Sequence, residues 1–155
     1  MTSKTRVEQR AQLVAYPAQE TDDFEPDGFS ELLGITPTTV YRKGEVLRSG
    51  RVRPYSAWIW ETAERVEHDS ELLIQEVLDT FEPLAGQLAE ARAGWGLDVQ
   101  VGLVISMYGS IESDPDGSSG AVVSTPALYL SPGTLRRLTE LGCALDIDTY
   151  VIAPG

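Results

Sequence analysis

Residues 97–107 constrain the fold more than any other stretch. Leu97, Val99, Val101, Leu103, Ile105 and Met107 fall on one side of a two-residue period, with Asp98, Gln100, Gly102, Val104 and Ser106 on the other. Such alternation belongs to a β-strand with one covered face and one wetter face. The chain must therefore build a sheet and supply an apolar cover for it. The cover lies just upstream: from Asp69 to about Arg92, Leu73, Val77, Phe81, Leu84 and Leu88 recur at helical spacing, with Leu72, Ile74, Leu78 and Ala85 beside them. Pro83 lacks an amide hydrogen and clashes with the carbonyl four residues back, which predicts one long bent helix with a kink or restart near Asp79 and Thr80.

The other elements follow from shorter signals. Gln12, Val14 and Tyr16 alternate with Leu13 and Ala15 as a first short strand, and residues 1–10 are expected to be flexible or loosely attached. Phe29, Leu32 and Leu33 predict a short helix stopped by Gly34 and Pro37. Thr39-Val40-Tyr41 reads as a short strand; the rest of the segment to Pro54, with Gly44 and Gly50, reads as an exposed loop. Ala57 to Thr62 is a strand with Trp58 and Trp60 on one face. The polar segment Ser110 to Gly120 joins the 97–107 strand to Ala121–Leu130 as a loose hairpin, with Pro126 marking an edge or bulge. A helix from Pro132 to Gly142 and a strand from Leu145 to Ile152 close the chain. From about residue 55 the order is strand, helix, strand, strand, helix, strand. This predicts an α+β fold: an antiparallel sheet covered on one face by helices, with a ferredoxin-like split βαβ core and an N-terminal strand-helix-strand extension. At 155 residues the whole chain fits a single domain, 1–155.

Charge excludes some functions. Twenty-four acidic residues against twelve basic ones leave a net charge of -12, which repels phosphate backbones and anionic lipid, so neither nucleic acid nor membrane is an expected partner. No apolar run suits a leader or a membrane span, and the expected location is cytoplasmic. Cys143 is the only cysteine, which rules out an internal disulfide and a zinc cluster. Five of the twelve basic residues, Arg42, Lys43, Arg48, Arg51 and Arg53, crowd one stretch after six acids, Glu20, Asp22, Asp23, Glu25, Asp27 and Glu31. The two stretches either neutralise one another or leave an anion site.

Candidate ligand-binding residues are few. Trp58 and Trp60, with Tyr55 nearby, could form an aromatic platform flanked by Arg51 and Arg53; the competing reading puts both tryptophans in the core under the long helix. Asp146 and Asp148 stand two apart on one strand face, their Cα atoms roughly 6 to 7 Å apart, with Tyr150 on the same face. That pair is a weak cation site or an acid pair, lacking visible further ligands. The loops beginning at Asp23 and Asp114 fail the calcium-loop pattern, because their twelfth positions are Gly34 and Thr125 where a bidentate Glu is needed. His68-Asp69-Ser70 suits a helix cap, and Cys143 could act as a nucleophile only if His68 met it in space. No glycine-rich phosphate loop precedes a helix. No catalytic residue, cofactor or metal is therefore assigned.

Phe29-Ser30-Glu31-Leu32-Leu33-Gly34-Ile35-Thr36-Pro37-Thr38, Lys43-Gly44-Glu45, Trp58-Ile59-Trp60, Leu138, Leu141-Gly142 and Leu145-Asp146-Ile147-Asp148-Thr149-Tyr150 stand in an order and spacing that resembles the bacterial domain-of-unknown-function family 4279. The resemblance covers roughly Leu13 to Val151. It implies a small bacterial cytoplasmic domain and carries no catalytic residue onto this chain. The expected function is a noncatalytic binding or interaction domain recognising a protein partner, or a second copy as a homo-oligomer. The alternative is a small-ligand domain or cryptic enzyme using the aromatic and basic surface or the paired carboxylates.

Overall fold

The computed structural model describes residues 5–19 and 23–153. In chain order it contains β1 (Arg6–Pro17), α1 (Pro26–Leu33), β2 (Thr39–Tyr41), β3 (Ala57–Glu61), β4 (Arg65–Val66), α2 (Ser70–Phe81), α3 (Ala85–Trp95), β5 (Leu97–Ser113), β6 (Ser119–Val123), α4 (Pro132–Leu141) and β7 (Ala144–Ile152). The strands form one open, mostly antiparallel sheet in the order β2-β3-β1-β5-β6, with β4 also paired to β1 and β7 to β5. β7 runs parallel to β5, the exception in an otherwise antiparallel α+β sheet. Among the described residues no helix is long and apolar enough to cross a membrane.

The alternation in β5 does what its pattern requires. Leu97, Val99, Val101, Leu103 and Ile105 are buried against Leu73, Ile74, Val77, Leu78 and Phe81 of α2 and Leu88 and Ala91 of α3. Asp98 and Gln100 face the other way. The predicted long helix is two helices: Pro83 sits within a 3-10 turn over Glu82–Leu84 that separates α2 from α3. The break falls a few residues later than Asp79 and Thr80, because a 3-10 turn tolerates proline in its first positions while α2 finishes its last turn ahead of it.

Two expectations about the N-terminal part are corrected. Residues 6–10 are not loosely attached; they are the first half of β1, with Val7 and Gln9 fully buried. Gln9 interrupts the apolar pattern, yet its amide is satisfied, donating to the Glu67 carbonyl at 2.7 Å and accepting from the Ser70 hydroxyl at 2.7 Å. Residues 1–4 lie outside the described set. β1 is also no extension of a ferredoxin-like unit: it stands in the middle of the sheet, antiparallel to β3 on one edge and to β5 on the other. Of the strands expected to form a core from residue 55, it separates β3 from β5, β6 and β7.

The last third of the chain is placed by α4. Ser131 caps its first turn, accepting from the Thr134 amide at 3.2 Å. Glu71 of α2 accepts from the Ser131 amide at 2.7 Å and the Thr134 hydroxyl at 2.6 Å. Midway along α4, Arg137 binds Asp79 and Glu82 at the end of α2. Anchored beside α2 at its start and its middle, α4 returns the chain so that β7 enters alongside β5 in parallel. The hairpin between β5 and β6 is shorter in its second arm than expected, because Ala127 leaves the sheet to bridge Asp69 beside the start of α2.

Candidate functional site: a cleft on the open face of the sheet

With every helix-facing position of β1 buried, its other positions, Glu8, Arg10, Gln12, Val14 and Tyr16, share the second face. The strand registers assemble that face in rows. Tyr41, Ala57, Tyr16 and Asp98 form one row across β2, β3, β1 and β5. Thr39, Ile59, Val14, Gln100 and Ala144 form the next, and Glu61, Gln12, Gly102 and Asp146 the third. Beyond the second row the β1 side chains on this face are polar and paired. Gln12 donates to Glu61 at 3.0 Å, and Arg10 reaches Glu64 at 3.0 Å.

The first two rows are apolar in the middle, and residues 42–56 fold over them. This segment is not an irregular loop but a small hairpin: Val46 bridges Val52, the Leu47 amide donates to the Arg51 carbonyl at 2.8 Å, and the Arg53 amide donates to the Glu45 carbonyl at 2.9 Å. Gly50 closes its tip at a φ of 80°, a left-handed conformation that suits glycine. Its base is tied where the Lys43 amide donates to the Ser56 hydroxyl at 2.9 Å. Between hairpin and sheet lies a cleft of about 620 Å³, within the range of small-ligand sites. Val14, Ala57 and Ile59 form its floor, Leu47, Val52 and Pro54 its roof, and Tyr16, Tyr41, Tyr55, Gln100, Arg51 and Arg53 its polar and aromatic lining.

Each polar group has a defined state. The Tyr16 hydroxyl donates to Gln100 Oε1 at 3.3 Å, and its ring lies 6.3 Å from that of Tyr55. Burial raises the Tyr16 pKa above the usual phenol value, and the nearby Asp98, Tyr55 and Asp146 push it further the same way, so this hydroxyl stays neutral and remains a donor. The Arg53 guanidinium stacks 3.8 Å over the Tyr41 ring. Its Nε approaches Glu45 at 3.2 Å as an ion pair without hydrogen-bond alignment. Arg42 pairs outward with Asp27 at 2.9 Å, whereas Arg51 has no ion-pair partner among the described residues. The cleft thus carries one compensated cation and one free one on its hairpin side. Glu20 and Asp22 of the acidic stretch lie outside the described residues.

The sequence-derived candidates divide. Arg51 and Arg53 line the cleft. Trp58 and Trp60 do not, and the aromatic platform is corrected: both sit on the helix-covered face, Trp58 fully buried. The Trp58 indole donates to the Ser30 hydroxyl at 2.9 Å and meets Phe29 edge-on at 4.9 Å, while Trp60 packs 5.4 Å from Phe81. Asp146, Asp148 and Tyr150 lie on the open face, opposite Gly102, Val104 and Ser106. None of the three lines the cleft; Asp146 stands diagonally from Gln100, and Asp148 and Tyr150 are one and two rows further along, at about 7 Å per row. Among the described residues no group of three or more His, Cys, Asp or Glu side chains is arranged to hold a metal ion. Tyr16, Tyr41 and Gln100 were missed, although the alternation of Gln12, Val14 and Tyr16 had already put Tyr16 on the wetter face.

Other reactive groups are engaged in structure. Asp69 caps α2 by accepting from the Glu71 amide at 3.0 Å. His68 is at the start of α2 and Cys143 follows α4, whose Arg137 reaches the far end of α2. The two are separated by the length of a twelve-residue helix, about 18 Å, and form no nucleophile and base pair. Burial holds the Cys143 thiol above its usual pKa despite Arg92 beside it. A family model described as "Domain of unknown function (DUF4279)" matches residues 11–152, nearly the whole chain. No curated protein and no solved structure matches it.

Proposed function

Because this chain belongs to the DUF4279 family, which is defined without a function, we propose from its own geometry that it is a noncatalytic binding domain that receives a small planar organic anion in the cleft beneath the 42–56 hairpin. The observation that carries this reading is the combination of an apolar floor, three tyrosines and the unpaired Arg51 around one 620 Å³ cavity. An aromatic or other planar body fits between Ile59, Val14 and the tyrosine rings, where burial contributes roughly 25 cal/mol per Å² of apolar surface. Its anionic group lies toward Arg51, and the Gln100 amide nitrogen, its oxygen held by the Tyr16 hydroxyl, is free to donate a hydrogen bond. Among the described residues, the side chains lining the cavity pair no nucleophile with a base.

The test is an amide-resolved NMR titration with 4-methylbenzoate. Expected are saturable shifts at Tyr16, Tyr41, Arg51 and Gln100, weakened about tenfold in Arg51→Gln, as suits loss of a charge-assisted contact. Absence of shifts, or shifts scattered over the helical face, would remove this reading.

A second reading, recognition of a protein partner, is supported by β7. This nine-residue strand pairs on one edge with β5 and has no strand on its other edge among the described residues. Tyr150 and Val151 are exposed near its end. An unpaired edge is a template for an added strand. A partner with basic side chains matches Asp146 and Asp148 better than a second copy carrying the same net charge of -12. Sedimentation across a hundredfold range of concentration tests the copy: a reversible dimer abolished by Val151→Lys would favour self-pairing over a foreign strand.

A further inference from the structure

We infer that the ligand of this cleft is amphoteric, carrying an ammonium group at the end of its body opposite the anion. The inference rests on the reading above and deepens it, by asking what the far wall of the cleft recognises. The hairpin wall is cationic, with Arg51 free and Arg53 held over Tyr41. The opposite wall is Tyr16 and Gln100, and just beyond it stand two carboxylates: Asp98, the direct cross-strand neighbour of Tyr16, lines the adjoining cavity that shares Tyr16 and Gln100, and Asp146 stands diagonally from Gln100 on the next strand. Both carboxylates are close enough to add to the upward push that burial gives the Tyr16 pKa. Neither has an ion-pair partner among the described residues, although Arg6, Arg10, Arg42, Arg53, Arg65 and Arg137 all do. Unpaired charge of opposite sign thus flanks the apolar floor, Arg51 on the hairpin side and Asp98 and Asp146 beyond the Tyr16 and Gln100 side.

Width decides which zwitterion fits. Tyr41, beneath Arg53, belongs to β2, and Asp98 belongs to β5, three strand positions away across β3 and β1. At about 4.8 Å per strand the two backbones stand about 14 Å apart, a gap that the side chains narrow but do not close. The adjacent ammonium and carboxylate of an α-amino acid cannot reach both walls. A flat body with its charges at opposite ends can, lying over Val14 and Ile59 with the tyrosine rings around it. The expected class is therefore an ω-amino acid or a short peptide in extended form. A purely anionic ligand would leave Asp98 and Asp146 repelling it, and a purely cationic one would meet Arg51.

Three probes built on one ring separate the possibilities: 4-(aminomethyl)benzoate with both charges, 4-methylbenzoate with the anion alone, and 4-methylbenzylamine with the cation alone. Titration calorimetry of the full chain at low salt is expected to rank the first tightest by at least about fivefold, the scale of one exposed charge contact. Asp146→Asn is expected to erase its advantage over 4-methylbenzoate without changing the affinity for 4-methylbenzoate by more than about twofold. Arg51→Gln is expected to weaken both carboxylates and spare the amine. Both positions are exposed, so thermal melts of the variants should match the parent. Equal binding of 4-(aminomethyl)benzoate and 4-methylbenzoate overturns the amphoteric inference and leaves the anion site standing. Tightest binding by 4-methylbenzylamine overturns both, as does binding by none of the three.

Discussion

Single side chains divide here into those that hold the sheet closed and those that are free to bind. Gln9 is the clearest of the first kind, since a fully buried amide in a central strand is tolerated only because Ser70 and the Glu67 carbonyl satisfy it. Gln9→Leu would keep the volume but orphan both partners, and chemical denaturation is expected to show a loss of about 1 to 3 kcal/mol. Glu71 makes a different prediction. Its hydrogen bonds from Ser131 and Thr134 hold its pKa below the usual carboxylate range. A depressed folded pKa adds stability above the unfolded value of about 4.3, and that stability is lost as pH falls through the folded value. The urea midpoint of Glu71→Gln should therefore lie below that of the parent at neutral pH and converge with it below about pH 4. Trp58 and Trp60 show what a period-two pattern leaves open. It put them on one face, but the choice of face is made by Leu13 opposite Trp60 and by Phe81 above it. Neither contact is local in the sequence.

At the scale of elements, the helices and the β5 strand were legible because each buries a continuous apolar stripe whose period survives in the sequence. The 42–56 hairpin was not, since its two arms are short and its only visible signals, Gly44, Gly50 and a crowd of arginines, equally describe a solvated loop. What organises it is a pair of valines, Val46 and Val52, six residues apart, together with the Ser56 hydroxyl that receives the Lys43 amide. Ser56→Ala removes that tie. Hydrogen exchange at the Leu47 and Arg53 amides is expected to speed up about tenfold, the kinetic equivalent of one lost hydrogen bond, while amides of β1 and β5 keep their protection. Weaker binding of 4-methylbenzoate should accompany it, because the hairpin carries the roof of the cleft.

For the whole molecule, the fold class could be read in advance and the topology could not. An α+β sheet with one covered face follows from alternation and from the helical stripe, yet strand order depends on which edges meet. β1 and β5 exchange twelve registered pairs over a separation of some ninety residues, and no local pattern announces such a partnership. The cleft was invisible for the same reason: its floor comes from β1 and β3, its far wall from Tyr16 of β1 and Gln100 of β5, and its roof from the hairpin. The central position of β1 also bears on how the molecule is made. A strand that comes first in the sequence but is flanked by β3 and β5 has no complete docking site until the chain has been synthesised through residue 108. Loop closure on that scale slows folding relative to local contacts. The emerging polypeptide must therefore carry Val7, Ala11 and Leu13 unprotected until late, and a separately supplied peptide spanning residues 5–19 is a natural candidate to complete a chain that lacks them.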